Sequence, residues 1–462
     1  MAAETEQLSA AAEKMRAGGQ SDAAISQFGY ALERVLSGAK TMIPSSELEP
    51  ASDVPELESL PDVDAAAVLE RLAVIKLNGG LATSMGLQQP KSLLEARDGK
   101  TFLEIIIGQT LALRRRYGVR LPLLLMNSEA TRAPTLAALA KFPELATPEL
   151  PEDFLQSMVP KLDAESMLPA RWPAAPELEW CPPGHGDVYA SLVGSGLLAA
   201  LKDQGFRYVM ISNSDNLGAR VDPRIAGHVV REGTPFLMEV VRGTAADRKG
   251  GHIARRVSDG QLVLRETAQT PPEDEESFRD YKRWRYYNTN SLWIDLDAIA
   301  ARFDDDGRLE LPVIVNHKTV DPRDKQSTPV LQLESAMGAA IASFPGAALL
   351  QVPRTRFVPV KTTDDLLLLR SDVFRLGDEF RVEPTTEDGN QPYVALDKRY
   401  YGLIDAFEAR MPDGPPSLRE AERFVVNGDV RFGSDVVVHG DVELDAGDGE
   451  LEIDDGTVLG DD

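Results

Sequence analysis

Two hydrophobic patterns divide the chain. From residue 72 onward short apolar runs alternate with longer amphipathic stretches. AVIKL (73–77) is followed by a helical pattern over 102–117, then LPLLLMN (121–127) and a helical pattern over 131–139. Further on, a helical pattern over 188–201 leads into YVMIS (208–212), and one over 224–232 leads into PFLMEVV (235–241). Apolar runs without alternation mark strands buried on both faces, and the intervening helices supply the cover. This order predicts an α/β fold with a mixed, mainly parallel sheet.

The pattern changes at both ends. Residues 1–45 are Ala-rich, and Ala23, Ile25, Phe28, Leu32, Val35 and Leu36 keep helical spacing, which predicts two helices. Prolines and acids over 44–64 read as a linker. After Glu383 helical periodicity gives way to Asp-Val pairs at 429–430, 435–436 and 441–442, with Gly428, Gly433 and Gly440 between or beside them. A six-residue period with small turn residues is the signature of a parallel β-helix, and an ordinary β-meander is the alternative. Residues 443–462 carry acids and no Lys or Arg, which predicts a solvated or frayed end. The expected division is therefore 1–64 (helices and linker), 65–383 (an α/β domain) and 384–462 (a β-helix).

Charge narrows the chemistry. Lys and Arg number 49 against 74 Asp and Glu in 462 residues, for a net charge of −25. Such a surface repels nucleic acid and anionic membranes, so neither is an expected partner. The single cysteine, Cys181, excludes an internal disulfide, and the five histidines are too scattered for paired zinc ligands. The N-terminus lacks the basic start and apolar core of a secretory signal, so a cytoplasmic location is expected. An anionic ligand must then be held by local cations, backbone N–H groups or a divalent ion.

Three motifs meet that requirement. KLNGGLATSMGLQQPKS (76–92) follows the first strand of the α/β region, and its Gly-Gly pair lets backbone approach a phosphate while Lys91 adds a charge. It matches neither a Walker A loop nor GxGxxG, and a plain glycine turn with a solvated lysine is the alternative. CPPGHGDVYASL (181–192) sets His185 between two glycines, either to meet a sugar or phosphate oxygen or as a surface histidine beside an Asp187 N-cap. YVMISNSDNLGA (208–219) runs a strand into Asn213, Asp215 and Asn216, where open α/β sheets bind ligands and a carboxylate suits Mg2+. Asx residues also end strands for local reasons. Glu266, Asn290 and Lys361 are expected at further strand ends.

Taken in order, LNGGLATSMG with PKS, LQS, PPGHGD, NSDNLGA, KGG, ETAQ, NTNSLW, QLESAMGAAI and VPVKTTDDLLLL closely resemble the eukaryotic-type UTP-glucose-1-phosphate uridylyltransferases over roughly residues 70–460. The resemblance implies a Rossmann-like nucleotidyltransferase domain followed by a left-handed parallel β-helix. It implies that UTP and glucose 1-phosphate are the substrates and Mg2+ the cofactor. UTP would meet Leu77, Asn78, Gly79, Gly80, Lys91, Gln156, Gly184, Asp215 and Lys361. The sugar phosphate would meet His185, Asn213, Ser214, Asp215, Glu266 and Asn290. Lys361 and Lys91 would be catalytic, and Asp215 would handle the metal. Ala82 stands where the family usually shows a third glycine, and His252 where it usually shows threonine. A related enzyme using N-acetylhexosamine 1-phosphate or several sugar 1-phosphates, and a non-catalytic nucleotide-sugar sensor or scaffold, are the competing readings. Self-association through the β-helix is a further expectation.

Overall fold

The computed structural model describes residues 2–244, 247–386 and 391–460. Two N-terminal helices, α1 (Ala2–Ala17) and α2 (Asp22–Leu36), form a hairpin. Ser21 caps α2 by accepting from the Ala24 N–H, and Phe28 and Leu32 bury its inner face against Val159, Leu162 and Leu333.

The centre is a ten-stranded sheet. Its strands are β1 (Leu48–Pro50), β2 (Leu72–Asn78), β3 (Leu123–Asn127), β4 (Asp153–Leu155) and β5 (Tyr208–Asn213), then β6 (Phe236–Arg242), β7 (His252–Arg256), β8 (Leu262–Arg265), β9 (Tyr286–Asp295) and β10 (Ala348–Gln351). In space β4, β3, β2 and β5 lie side by side and parallel. β9 then runs antiparallel to both β5 and β6, and β6 pairs parallel with β10. Alternate residues of β2 face opposite layers. Leu72 and Val74 pack with Phe102 and Ile105 of α3 (Phe102–Tyr117), while Ala73 and Ile75 pack with Val188 and Leu192 of α5 (Val188–Gly194). Helix α4 (Glu129–Leu139) follows β3. Full burial of an Ile or Leu side chain contributes roughly 1.5–3 kcal/mol, so this double cover fixes the register of the central strands.

The sequence pattern and the structure part in three places. The stretch 188–201 divides at Ser195 and Gly196 into α5 and α6 (Leu197–Asp203), because Gly196 takes the left-handed conformation at φ 77°. Helix α7 (Pro223–Glu232) forms as expected. The 44–64 stretch is laid against the body rather than hanging free: Leu48 of β1 pairs with Arg256 of β7 and is buried with Trp284. The acidic end is solvated, as expected, but it is strand and turn rather than frayed chain as far as Leu459, and residues 461–462 lie outside the described residues.

Helices α8 (Leu296–Asp306) and α9 (Thr363–Arg370) follow β9 and Lys361 respectively. The C-terminal strands β11 (Tyr393–Leu396), β12 (Ser417–Phe432), β13 (Val437–Ile453) and β14 (Val458–Leu459) are all parallel, as a β-helix requires. The buried residues Leu418, Phe424, Val430, Val436 and Val442 recur every six positions, so the repeat begins two units before the Asp-Val pairs that revealed it. Leu451 and Ile453 register on Val430 and Phe432, which explains why the acidic end stays ordered: its apolar positions still stack on the preceding coil. One apolar cluster runs without a break from Leu418 and Phe424 to Leu366 and Leu367 of α9.

Candidate active site

A cleft of about 320 Å3 opens at the carboxyl ends of β2 and β5, where the loops after adjacent parallel strands diverge. Leu77, Gly79, Gly80, Lys91, Gln156, Gly184, His185, Asn213, Ser214, Asp215 and Lys361 line it, together with Met126 and Pro182.

Three segments distant in sequence meet at Asp215. Its Oδ2 accepts from Lys361 Nζ at 2.7 Å and from Lys91 Nζ at 3.2 Å. Lys91 also donates to the Val360 carbonyl. The backbone repeats these ties: Ser214 N–H donates to Leu77 O at 3.3 Å and Val360 N–H to Asp215 O at 3.0 Å. Lys91 reaches the cleft because the loop closes on itself, with its N–H donating to Gly80 O at 3.2 Å and Ala82 N–H donating to Gln89 O at 3.1 Å. Ala82 holds φ −82°, which an alanine adopts without strain, so the missing glycine leaves the loop intact. The Lys361 side chain is 56% exposed. Only the lysine end of this pair is solvated, so Lys361 can swing from the carboxylate to a phosphate oxygen without first leaving a buried position.

The Gly-His-Gly loop forms the opposite wall. Gly184 sits at φ 80°, and a Cβ there would lie 2.5 Å from the Ser335 carbonyl oxygen, so no other residue fits. His185 Nδ1 accepts from the Met337 N–H at 3.1 Å. Burial, and then the charge of Lys361, pull the imidazole pKa down to about 4. The ring is therefore neutral at pH 7, with its proton on Nε2. Asp187 does not cap the following helix. Its carboxylate accepts from Ser157 N–H at 2.6 Å and Ser191 Oγ at 2.5 Å, which ties the His185 loop to the loop that carries Gln156. The Gln156 amide in turn lies against Gly79.

Four of the residues singled out from sequence do not line this cleft. Asn216 is buried, with its Oδ1 accepting from the Gly218 N–H at 3.1 Å and the Val358 N–H at 2.9 Å. Asn78 is buried and turns its amide toward α4, donating to Asn127 Oδ1 at 2.7 Å and Thr135 Oγ1 at 2.9 Å. Glu266 lies against Gly251 with its pKa raised by burial, and Asn290, at φ 54° and inside β9 rather than at a strand end, exchanges hydrogen bonds of 2.8 Å with Asn288. The Met337–Gly338 segment joins this second polar patch to the cleft, since Met337 holds His185 and Gly338 packs on Asn288.

Sequence reasoning missed the charges beneath the cleft. Lys76 is fully buried in β2 and donates to Ser212 Oγ at 2.8 Å and Ala219 O at 2.6 Å, so it fastens both ends of the loop that carries Asp215. Burial, and then Arg356, push its pKa down to about 7. Arg356 and Glu239 form a buried pair at 2.7 Å, with Trp293 Nε1 donating to the same carboxylate at 2.8 Å. Lysine in an otherwise apolar strand was the available signal.

Among the described residues no group of three His, Cys, Asp or Glu could enclose a metal. Asp215 Oδ1, however, is buried with no hydrogen-bond partner. One free carboxylate oxygen beside two lysines suits Mg2+, which keeps several waters and needs only one or two carboxylates from the protein.

The comparisons converge on one family. The family model described as UTP-glucose-1-phosphate uridylyltransferase matches residues 25–439. The enzyme of that name from Hordeum vulgare is 41% identical over 438 residues, 93% of this chain and 90% of that one. The one from Saccharomyces cerevisiae is 41% identical over 394 residues, 85% of this chain and 77% of that one. A variant of the Leishmania major UDP-glucose pyrophosphorylase, solved with UDP-glucose, superposes with a TM-score of 0.92 at 41% identity and covers 98% of both chains. With cleft, fold and sequence in agreement along nearly the whole length, the chain belongs to the UTP-glucose-1-phosphate uridylyltransferase family.

Proposed function

We propose that the protein transfers the uridylyl group of UTP to glucose 1-phosphate, reversibly, giving UDP-glucose and pyrophosphate. The names of its relatives and the UDP-glucose bound to the Leishmania major protein support the substrate pair. The observation that carries the reading for this chain is Asp215 bridging Lys91 and Lys361 beside the Gly79–Gly80 backbone. It assembles two cations and exposed N–H groups in a protein whose overall charge of −25 opposes anions.

A phosphate oxygen of glucose 1-phosphate attacks the α-phosphorus in line. One O–P bond forms there as the bond to the β-phosphate oxygen breaks, and pyrophosphate leaves with that electron pair. The nucleophile is already anionic at neutral pH, so no general base is required. The protein aligns the two phosphates and offsets their charge. Leu77, Gly79, Gly80, Gln156 and Gly184 seat the nucleotide, and Asn78 fixes that loop from beneath. Lys91 and Lys361 neutralise the phosphates, and His185 donates its Nε2 proton as a hydrogen bond to the sugar phosphate. Asn213 and Ser214 border the same subsite, while Glu266 and Asn290 receive sugar hydroxyls from the adjoining patch. Mg2+, held by Asp215, would supply further neutralisation of the phosphate charge. In this reading residues 65–383 carry the chemistry, 1–64 brace them, and 384–462 form a β-helix domain that shares its apolar core with α9.

The test is UDP-sugar and pyrophosphate formation from UTP with glucose 1-phosphate and with N-acetylglucosamine 1-phosphate. Glucose 1-phosphate should be the preferred acceptor by a wide margin. Preference for the N-acetylated sugar would reassign the substrate, and binding without pyrophosphate release would leave a sensor.

A further inference from the structure

A second concavity, of about 630 Å3, lies between α2, the turn at residues 38–43, the end of α8 and the 3-10 stretch Met337–Ser343. It shares no lining residue with the lysine cleft. Its walls carry Arg34, Lys40, Arg302 and Arg308, and none of these four forms an ion pair among the described residues. A fifth cation, Arg256, is paired with Asp259 at 2.8 Å. The Arg308 guanidinium lies over the Tyr30 ring, 5.1 Å from its centroid, and its Nε is buried without a hydrogen-bond partner. Two carboxylates, Asp306 and Glu310, are exposed at the rim.

In a chain with 74 acids against 49 bases, four unpaired cations around one hollow run against composition. Like charges in one concavity repel, and concave walls focus their field on whatever enters. Guanidinium groups bind phosphate oxygens in pairs, while the Tyr30 ring, Leu311 and Pro312 offer an apolar wall for the rest of a small molecule. We propose that this hollow is a second anion site, for a phosphorylated small molecule bearing at least two negative charges. Its back wall is part of the scaffold of the first site. Ser343 Oγ donates to Glu310 O at 2.7 Å at one end of the 3-10 stretch, and Met337 holds His185 at the other. Leu311 packs on Gly186. An occupant therefore braces the segment that positions the Gly-His-Gly loop.

The test is titration of the full chain with inorganic phosphate at constant ionic strength, read as the thermal unfolding midpoint. Three proteins are compared: wild type, Arg302→Gln/Arg308→Gln and Lys91→Gln/Lys361→Gln. The proposal expects a saturable rise in the wild type and in the lysine variant, with half-saturation weakened about tenfold in the arginine variant. Acetate at the same ionic strength should leave the midpoint unmoved. A rise abolished only in the lysine variant, a non-saturating response equal in all three, or an equal response to acetate would overturn it. Should the arginine pair fail to fold, the exposed Arg34→Gln and Lys40→Gln take its place, with half-saturation weakened about threefold each. An unchanged value in both would overturn the proposal.

Discussion

In the lysine cleft, functional groups from residues 77, 91, 185, 215 and 361 converge from four separate segments onto the ends of two parallel strands. In the C-terminal coil, every sixth residue from Leu418 to Val442 turns inward and packs on its own neighbours. Both regions are parallel sheet. One leaves its strand ends open and polar, with a carboxylate shared between two ammonium groups; the other closes each strand into the next and fills the interior with apolar side chains, Phe424 and Phe432 among them. Strand ends diverging at adjacent loops make room for a ligand, whereas stacked coils make only core. Rate should therefore respond to the cleft and stability to the coil.

Asp215→Asn should show the largest effect, a fall in kcat of roughly a thousandfold with a shallower Mg2+ titration, because the amide holds neither the lysines nor a hard cation. An unchanged Mg2+ titration would count against metal handling at this residue. Lys361→Ala should lower kcat about a hundredfold and leave the thermal midpoint nearly unmoved, since its side chain is largely solvated. Phe424→Ala should do the reverse, costing about 3 kcal/mol in denaturant titration while kcat per folded molecule is kept. Loss of kcat in a folded Phe424→Ala protein would mean that the apolar cluster shared by the coil and α9 sets the position of Lys361, and the separation of roles would fail.

Lys76→Met probes the border between the two behaviours. The residue touches no substrate but ties Ser212 to Ala219 around the Asp215 loop. We expect kcat to fall about tenfold with little change in the UTP KM, as misplacement of the loop would produce. Equal kcat would reduce Lys76 to a packing residue.

The smallest effect concerns pH. His185 and His252 are held neutral by burial, with pKa values of about 4 and about 3. The unfolded chain takes up those protons below its ordinary value near 6.5, so the stability present above pH 6.5 declines as pH falls toward 4. His252, stacked on Trp284 at 4.6 Å with both ring nitrogens unpartnered, can be replaced without loss of a hydrogen bond. His252→Phe should gain about 2 kcal/mol relative to wild type at pH 5 in denaturant melts, with little difference at pH 7.5. Parallel acid limbs for the two proteins would refute this.

The same contrast explains what could be read from the chain alone. The coil was legible because its period is local, although only the three Asp-Val pairs showed it; Leu418 and Phe424 continue the repeat without the aspartate. Lys91, His185 and Asp215 were legible because glycines and Asx residues mark the loops that carry them, whereas Lys361 follows no strand, only the single Asn216–Pro359 bridge, and was singled out as catalytic through the family resemblance. β9 was not legible as the antiparallel strand between β5 and β6, since pairing order across the sheet leaves no local trace. Nor was the Glu239–Arg356 pair, whose members are more than a hundred residues apart and meet only through the fold. Glu266 and Asn290 are joined to the cleft by Met337–Gly338, a connection that spacing could not reveal.

Direct transfer without a uridylylated enzyme is tested most directly by the configuration at phosphorus. UTP carrying sulfur at a stereochemically defined α-phosphorus should yield the thio analogue of UDP-glucose with inverted configuration, as a single in-line displacement requires. Retention would mean two successive displacements through a covalent intermediate, with the neutral His185 as the residue to be uridylylated, and would contradict a cleft that acts only by alignment and charge.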